Sequence, residues 1–518
     1  MRTSTSFWRA MQTARRSNLA AAGEAPPVPA NYAVTRRTLL QAIAAGAVVS
    51  ALPREARAAT MGTVAIIGGG IAGLTALHHL TESGVEAKLY EARDRMGGRM
   101  FTQRPASGPA FEAGGQLVNT DHHDMQQLAK AFGVELIDRK NGEHRTLILA
   151  NGRVVPDAEL AEALRGIAGQ IGKDADRLDR SYARVAAELD RMSIESYLNQ
   201  HAALIPNPWV KSLLEGTSRT EYGVEPGEAS ALELIFNLPT VNGERAEVLG
   251  GSDERFVIEG GSSALIDAMT SKYAGAIESG KRLLSVTRSG GRMQLRFLDG
   301  SEGLADTVIV AVPAPILRQI DFRVPLPAAW RAFVAEAELG RNEKVQAFAT
   351  ATPWTKTMGM GGELWQTGDE GYALGWDGSV HMPGTLDSVW TWFLGGDQVS
   401  DPGAADALAR RFAQISEPAV PGLIPATADG PYRRTAWHRD PLTLGAYCNY
   451  PPRFLTRFAH LLSVESEDGE PQVSRAGNVF FAGEHLSDAF PGYMNGAAQT
   501  GRMAAEAITG KRLLAKAA

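Results

Sequence analysis

"TVAIIGGGIAGL", residues 63–74, carries the reading of this chain. Val64–Ile67 is a short apolar run rich in β-branched residues, as a buried strand requires. Gly68, Gly70 and Gly73 then form G-x-G-x-x-G, and from Ile71 to Ser83 the apolar period becomes that of a helix. Gly84 closes that helix, and "AKLYE" (87–91) reads as a second strand. In such a β-α-β unit the first glycine permits the tight turn, and the second lets the backbone approach a pyrophosphate. The third brings the helix against the strand. The helix N-terminus, at Ile71 and Ala72, turns its N–H groups toward the anion. Glu91 ends the second strand, where an acid accepts from ribose hydroxyls. The fingerprint in this context predicts a dinucleotide site.

The chain has 518 residues, 44% hydrophobic and 21% charged, which is a globular composition long enough for two or more domains. One cysteine, Cys448, excludes an intrachain disulfide and a multi-cysteine metal site. No His/Asp/Glu spacing reads as a metal site, so none is expected. No apolar run reaches the ~18 residues of a membrane span, so stable membrane insertion is not expected. The net charge is −6, yet residues 1–58 carry eight arginines and two acids, leaving −12 on the remainder. An acidic body argues against nucleic acid as a partner and favours cationic ligands by long-range steering.

The basic front end has its own pattern. Arg36-Arg37 precede the apolar run Leu39 to Leu52, and Ala56-Arg57-Ala58 forms an A-x-A cleavage site before Ala59. A run this short, so flanked, is laid out as a secretory leader, and the paired arginines point to the twin-arginine (Tat) export machinery as a partner. A periplasmic or secreted location is expected. The stretch before Arg36 is either an extended leader or a start placed too early.

Further along, no internal repeat is found. Residues 121–240 read as mostly helical, for example "DRLDRSYARVAAELDRMSIESYLNQ" (176–200). Strands return with "LLSVTRS", "RMQLRFLDGSE" and its Asp299-Gly300 turn, and "DTVIVAVP". Residues 345–396 mix strands and loops, and "NVFFAGE" (478–484) precedes a last helix.

"EARDRMGGRM" (91–100) places Ala92, Arg93 and the Gly97-Gly98-Arg99 turn directly after the acid, and "FEAGGQ" (111–116) follows with Gly115 and Gln116. With "RFVIEGGSSALIDAM" (255–269), "ADTVIVAVPAPIL" (305–317) and "VFFAGEHLSD" (479–488), these segments in this order resemble the flavin monoamine oxidase family, over nearly all of residues 62–510. The resemblance implies an α/β fold: a Rossmann-like FAD-binding domain (59–115, 244–328 and 437–518) interleaved with a mixed α+β substrate-binding domain (116–243 and 329–436). Residues 1–58 are the leader. FAD is the implied cofactor. Val286 matches the strand whose backbone meets the adenine in relatives, Glu484 after Gly483 would meet the ribityl chain, and Trp437 matches the family's tryptophan beside the flavin.

Three positions would carry the chemistry. Lys344 in "ELGRNEKVQAF" has a spacing similar to the family's lysine, which holds a water near flavin N5. Tyr493, before Met494 in "FPGYMNGAAQTG", and Tyr447, ten residues after Trp437, match the two aromatics that cage an amine before the flavin. Two such rings would orient the nitrogen and aim its C–H bond. Covalently flavinylated members carry a cysteine immediately before the second aromatic; here Ala446 stands there. Cys448, on the other side of Tyr447, points to the opposite face of an extended segment, so non-covalent FAD is expected. His485 is expected to be structural.

The favoured expectation is an exported FAD-dependent amine oxidase with a small-molecule amine as substrate and O2 or another electron acceptor. An L-amino-acid oxidase on the same scaffold would need a carboxylate clamp, for which Arg219 or Arg255 is available. A flavin amine dehydrogenase passing electrons to a cytochrome or quinone is the third reading. The identity of the amine is not legible.

Overall fold

In the computed structural model, strand Val64–Ile67 lies at the middle of a six-stranded sheet. It pairs in parallel with Ala87–Tyr90 on one side and Thr307–Val310 on the other. Ile277–Glu278 and Val479–Phe481 extend the parallel set, and Arg475–Ala476 closes one edge antiparallel. The structure describes residues 62–106, 108–237, 240–242, 245–247, 252–368, 371–384, 388–466 and 471–513. The expected leader, with Arg36 and Arg37, lies outside the described residues.

All four residues of the central strand are buried, because each face of the sheet is covered, as parallel sheets require. One face packs on the helices Ile71–Glu82 and Met494–Thr509. The small residues of the C-terminal helix have a steric cause. A Cβ on Gly501 would stand 2.1 Å from the carbonyl oxygen of Ala72, so only glycine lets the two helices come this close. The other face packs on the antiparallel strands Leu283–Ser289, Arg292–Phe297 and Glu302–Ala305 and on helix Ala328–Glu336. The hairpin expected at Asp299-Gly300 is present, with Gly300 at φ +82°.

The second half is a seven-stranded sheet in the order Tyr432–Arg434, Asn342–Ala349, Ser388–Gly395, Leu374–Asp377, Glu363–Gln366, Thr146–Ala150 and Arg153–Val154. Helices Asp157–Arg180, Tyr182–Leu189, Ile194–Gln200, Pro208–Tyr222 and Ala231–Asn237 pack around it. Trp390 and Trp392 on Ser388–Gly395 are fully enclosed, and they anchor the neighbouring strand that carries Lys344. Truncating either ring to alanine costs about 3–5 kcal/mol by loss of buried area and cavity formation.

The region expected to be mostly helical, 121–240, is more mixed than its period suggests. After helix His123–Ala131 it contributes strands Leu136–Asp138, Thr146–Ala150 and Arg153–Val154, and long helices begin only at Asp157. Thr146–Ala150 pairs in parallel with Glu363–Gln366, a contact set by tertiary structure and invisible to local periodicity. Strand Phe256–Ile258 also crosses between the expected segments, pairing with Leu117–Val118 and Leu136–Asp138. The fold is therefore an α/β Rossmann-like half interleaved with a mixed α+β half.

Candidate active site

A cavity of about 430 Å³ begins at the glycine turn and runs between the two halves. Gly68, Gly70, Ile71 and Ala72 line it where strand Val64–Ile67 gives way to its helix. A Cβ on Gly70 would meet no protein atom within 4 Å, so the backbone there faces open cavity, as close approach of a pyrophosphate needs. Gly73 is not on the cavity wall; a Cβ on it would stand 1.9 Å from the carbonyl oxygen of Gly68, which makes it the packing glycine of the turn.

Glu91, Ala92 and Arg93 line the nucleotide end. The Glu91 carboxylate is held by the N–H groups of Gly69 at 2.6 Å and Arg93 at 2.8 Å. Arg93 in turn donates to Asp440 at 2.6 Å and Thr443 at 2.8 Å, which ties the C-terminal segment to this end. Val286 corrects an expectation. Its side chain is fully enclosed, its carbonyl accepts from Arg323, and it lies in the core behind the cavity. The same strand meets the cavity three residues earlier, at Leu283, with Lys281 and Arg282 beside it. The reason is the strand's direction: it runs away from the cavity into the antiparallel sheet, where Val286 pairs with Leu295.

Midway, Gly98 and Arg99 face Gly483 and Glu484. Arg99 donates to Glu484 at 2.8 Å. The other carboxylate oxygen of Glu484 accepts from the N–H of Gly492 at 3.0 Å and of Cys448 at 3.4 Å. Burial by itself would push the Glu484 carboxyl up, but the Arg99 charge, with His485 and these hydrogen bonds, outweighs it, and the group ends below the usual carboxylate range. His485 also reaches the cavity wall. Burial lowers its imidazole to about 4, and both ring nitrogens lack partners among the described residues.

Lys344, Gln116, Trp437, Tyr447, Tyr493 and Met494 gather at the far end. Lys344 comes from strand Asn342–Ala349 and is only 6% exposed. Its Nζ donates to the carbonyl oxygens of Gly114 at 2.8 Å and Glu112 at 3.1 Å, and to Gln116 Oε1 at 3.4 Å. Burial lowers its pKa to about 8, against the opposing pull of Glu112 and Glu254. Trp437 Nε1 donates to Ala113 at 2.8 Å, so lysine and tryptophan grip the same "FEAGGQ" segment. Met494 packs against Gly115, where a Cβ would stand 2.9 Å from the methionine side chain.

Tyr447 donates its hydroxyl to the carbonyl of Thr220, and Tyr493 meets the His122 ring edge-on at 5.0 Å. Ala446 lines the cavity, whereas the Cys448 thiol is buried in the core on the strand Cys448–Asn449, beside Glu338–Leu339. Its thiol is pushed well up by burial and by Glu484, which makes it a poor nucleophile.

Three polar side chains at this end have no sequence signal. Glu221, in the last turn of helix Pro208–Tyr222, and Glu254, ahead of strand Phe256–Ile258, both line the cavity, as does His122. In the sequence each resembles an ordinary solvated residue; enclosure by the opposite half alters that.

The fingerprint turn, the acid behind it, and a lysine and two tyrosines at the other end line one continuous cavity. The profile of flavin containing amine oxidoreductases matches residues 71–509. The chain belongs to that family. These oxidoreductases include a flavin-containing amine oxidase of Oncorhynchus mykiss, 24% identical over 86% of this chain and 85% of that protein. They also include a nicotine dehydrogenase of Pseudomonas putida, 24% identical over 87% of this chain and 88% of that protein. Among solved structures, putrescine oxidase with putrescine bound superposes with a TM-score of 0.71 at 18% identity, covering 87% of this chain and 99% of that one. Cyclohexylamine oxidase of Brevibacterium oxydans does so at 0.71 and 22%, with the same coverage. The family implies FAD, and this member of the flavin amine oxidoreductases is an FAD-dependent enzyme acting on amines. No group of three or more metal-binding side chains is found among the described residues.

Proposed function

We propose that the chain is an exported amine oxidase with non-covalently held FAD. The observation that carries the oxidase reading is the placement of Lys344, Tyr447 and Tyr493 around one cavity that is continuous with the glycine turn. Bound flavin supplies an acceptor for the hydride equivalent leaving the amine's α-carbon and passes the electrons on to oxygen. The balance is amine plus water plus O2 giving carbonyl, ammonia or a shorter amine, and hydrogen peroxide.

The protein's own contribution is positional. Tyr447 and Tyr493 present ring faces that orient the nitrogen, and Gly492 lets the chain turn tightly at Tyr447. Lys344 holds a proton donor on the "FEAGGQ" segment, and its lowered pKa lets it exchange protons near neutrality. Glu484 braces the loop from which Tyr493 projects. The absence of a cysteine at Ala446 and the burial of Cys448 support a flavin without a covalent bond to the chain.

Two features weigh against an amino-acid oxidase. Arg219 is committed to Glu225 at 2.7 Å, and Arg255 to Asp138 at 2.7 Å. Of the cavity-lining arginines, Arg93 and Arg282 lie at the nucleotide end and Arg99 is paired with Glu484. The proposed periplasmic or secreted location rests on the paired arginines and the apolar run of residues 36–52.

The deciding experiment is anaerobic. The purified holoenzyme is mixed with monoamines, polyamines, cyclic amines and amino acids, and the flavin band is followed. Rapid bleaching by an amine class is expected; bleaching by amino acids alone, or by none of them, overturns the amine reading. Readmitting air separates oxidase, which recovers its colour within the turnover time, from a dehydrogenase, which does not.

A further inference from the structure

We propose that Glu221 and Glu254 form a cation subsite in the substrate space, so that the preferred substrate carries a second, positively charged nitrogen several carbons from the amine that is oxidised. The inference deepens the amine-oxidase reading and rests on it.

The two carboxyls arrive from separate elements. Glu221 follows Thr220, whose carbonyl accepts the Tyr447 hydroxyl, so its backbone is fastened directly to one tyrosine. Glu254 stands just before strand Phe256–Ile258, and two residues before it Ser252 also lines the cavity. Glu363 adds a third carboxylate from strand Glu363–Gln366 and acts on both. Among the described residues, the cationic side chains near them act at a distance and form no ion pair with either carboxyl. Arg139 gives hydrogen bonds to the backbone carbonyls of Glu254 and Met360. Lys140 lies 3.9 Å from Glu363, and Lys344 is turned to its carbonyl cradle.

Half-buried carboxyls that face one cavity and act on one another resist ionisation. Burial first, then Glu363, raises Glu221 to about 7, against hydrogen bonds from the Thr220 and Tyr493 side chains. Burial, then Glu363 and later Glu221, raises Glu254 well above the carboxylate range. Among the described residues, the Arg139 charge draws Glu254 down but does not offset burial and the neighbouring carboxylates, and no cationic side chain forms an ion pair with either member. An ammonium group supplies that ion pair and lets the carboxyls ionise, whereas an alkyl or aryl tail leaves them as buried polar groups without that partner.

An independent observation points to a polar occupant. His122 is 1% exposed and forms part of the same wall. Its Nδ1 accepts from the N–H of Asn119 at 3.0 Å, so Nε2 carries the ring proton. That Nε2–H has no partner among the described residues, beside a ring that touches Tyr493. Burial keeps the imidazole neutral down to about 3. A neutral amine nitrogen is an acceptor for such a donor, and a hydrocarbon is not.

The test measures anaerobic flavin reduction by α,ω-diamines of four to eight carbons against n-alkylamines of matched length, giving a Kd and a limiting rate for each. At one or more lengths the diamine is expected to bind at least about tenfold more tightly than its monoamine partner, with the gain in Kd and not in the limiting rate. Glu254→Gln and Glu221→Gln should each shrink that ratio by about fivefold or more, since either removes half of the subsite. If one variant loses its flavin, the other carries the comparison. Ratios near one at every length, or ratios unaffected by both substitutions, overturn the subsite while leaving the amine reading intact. Failure of every amine to bleach the flavin overturns the amine reading and the subsite with it.

Discussion

Gly492 passes so close to Tyr447 that a Cβ on it would stand 3.0 Å from Cδ2 of the ring, and it does so at φ +84°. Two demands therefore meet at one residue: a left-handed backbone and no side chain. The turn ahead of Tyr493 and the seating of Tyr447 are one steric unit, although 45 residues separate the tyrosine from the glycine. Gly492→Ala is expected to cost about 1–3 kcal/mol of stability from the strained φ. It should lower kcat/KM for amines by about tenfold or more through displacement of the ring. Retained flavin absorbance with slow anaerobic bleaching is the expected signature; wild-type bleaching rates would remove the ring's position from the argument.

Lys344→Met leaves the carbonyls of Glu112 and Gly114 without their donor and removes the only side-chain amine at this end of the cavity among the described residues. The variant should bind flavin and turn over amines at least about a hundredfold more slowly, the range of a lost general acid–base group. Unchanged turnover would take Lys344 out of the mechanism.

The same lysine makes a pH prediction. Its folded pKa is about 8 against 10.5 in the free side chain, so between those values the unfolded chain holds a proton that the folded chain has released. Unfolding then takes up a proton, and raising the pH through this window stabilises the fold through this group, by about 3 kcal/mol at most. Chemical denaturation of flavin-free enzyme at pH 7.5 to 10.5 (about the span of this window) checks it: the Lys344→Met profile should be flatter than that of the wild type.

Arg99 and Glu484 join segments 385 residues apart, and both line the cavity. Arg99→Ala leaves a buried carboxylate without its counter-charge, which costs about 3–5 kcal/mol in comparable buried pairs. Flavin content of the purified variant should fall sharply, and Glu484→Gln in the Arg99→Ala background should recover part of the lost stability. A double variant no more stable than the single one would show that the stranded charge is not the cause.

Export is tested in the host cell. Arg36→Lys combined with Arg37→Lys should leave active, flavin-loaded enzyme inside the cell, because the twin-arginine route carries folded proteins. Continued export of that variant sinks the proposed route.

The parts of this protein that the sequence by itself determined are those with a local physical demand. Gly68 and Gly73 announce their turn because a side chain on either would strike backbone, Gly70 leaves the turn open to the cavity, and Glu91 follows at the spacing that a strand and a helix impose. Lys344 and the two tyrosines are picked out by their motifs and order, and all three lie on the cavity wall. Tertiary structure alone decided which residues share the cavity wall. Val286 and Leu283 lie on the same strand, and its path, not its composition, brings Leu283 to the cavity and takes Val286 into the core. Thr146–Ala150 reads as an interruption among helices until its partner, Glu363–Gln366, arrives from more than two hundred residues away. Glu221 and Glu254 look like any acids on a helix end and a loop. Whether a carboxyl is solvated or enclosed depends on what packs over it, and here that is supplied by strands and loops distant in sequence, which convert two ordinary side chains into carboxyls that resist ionisation.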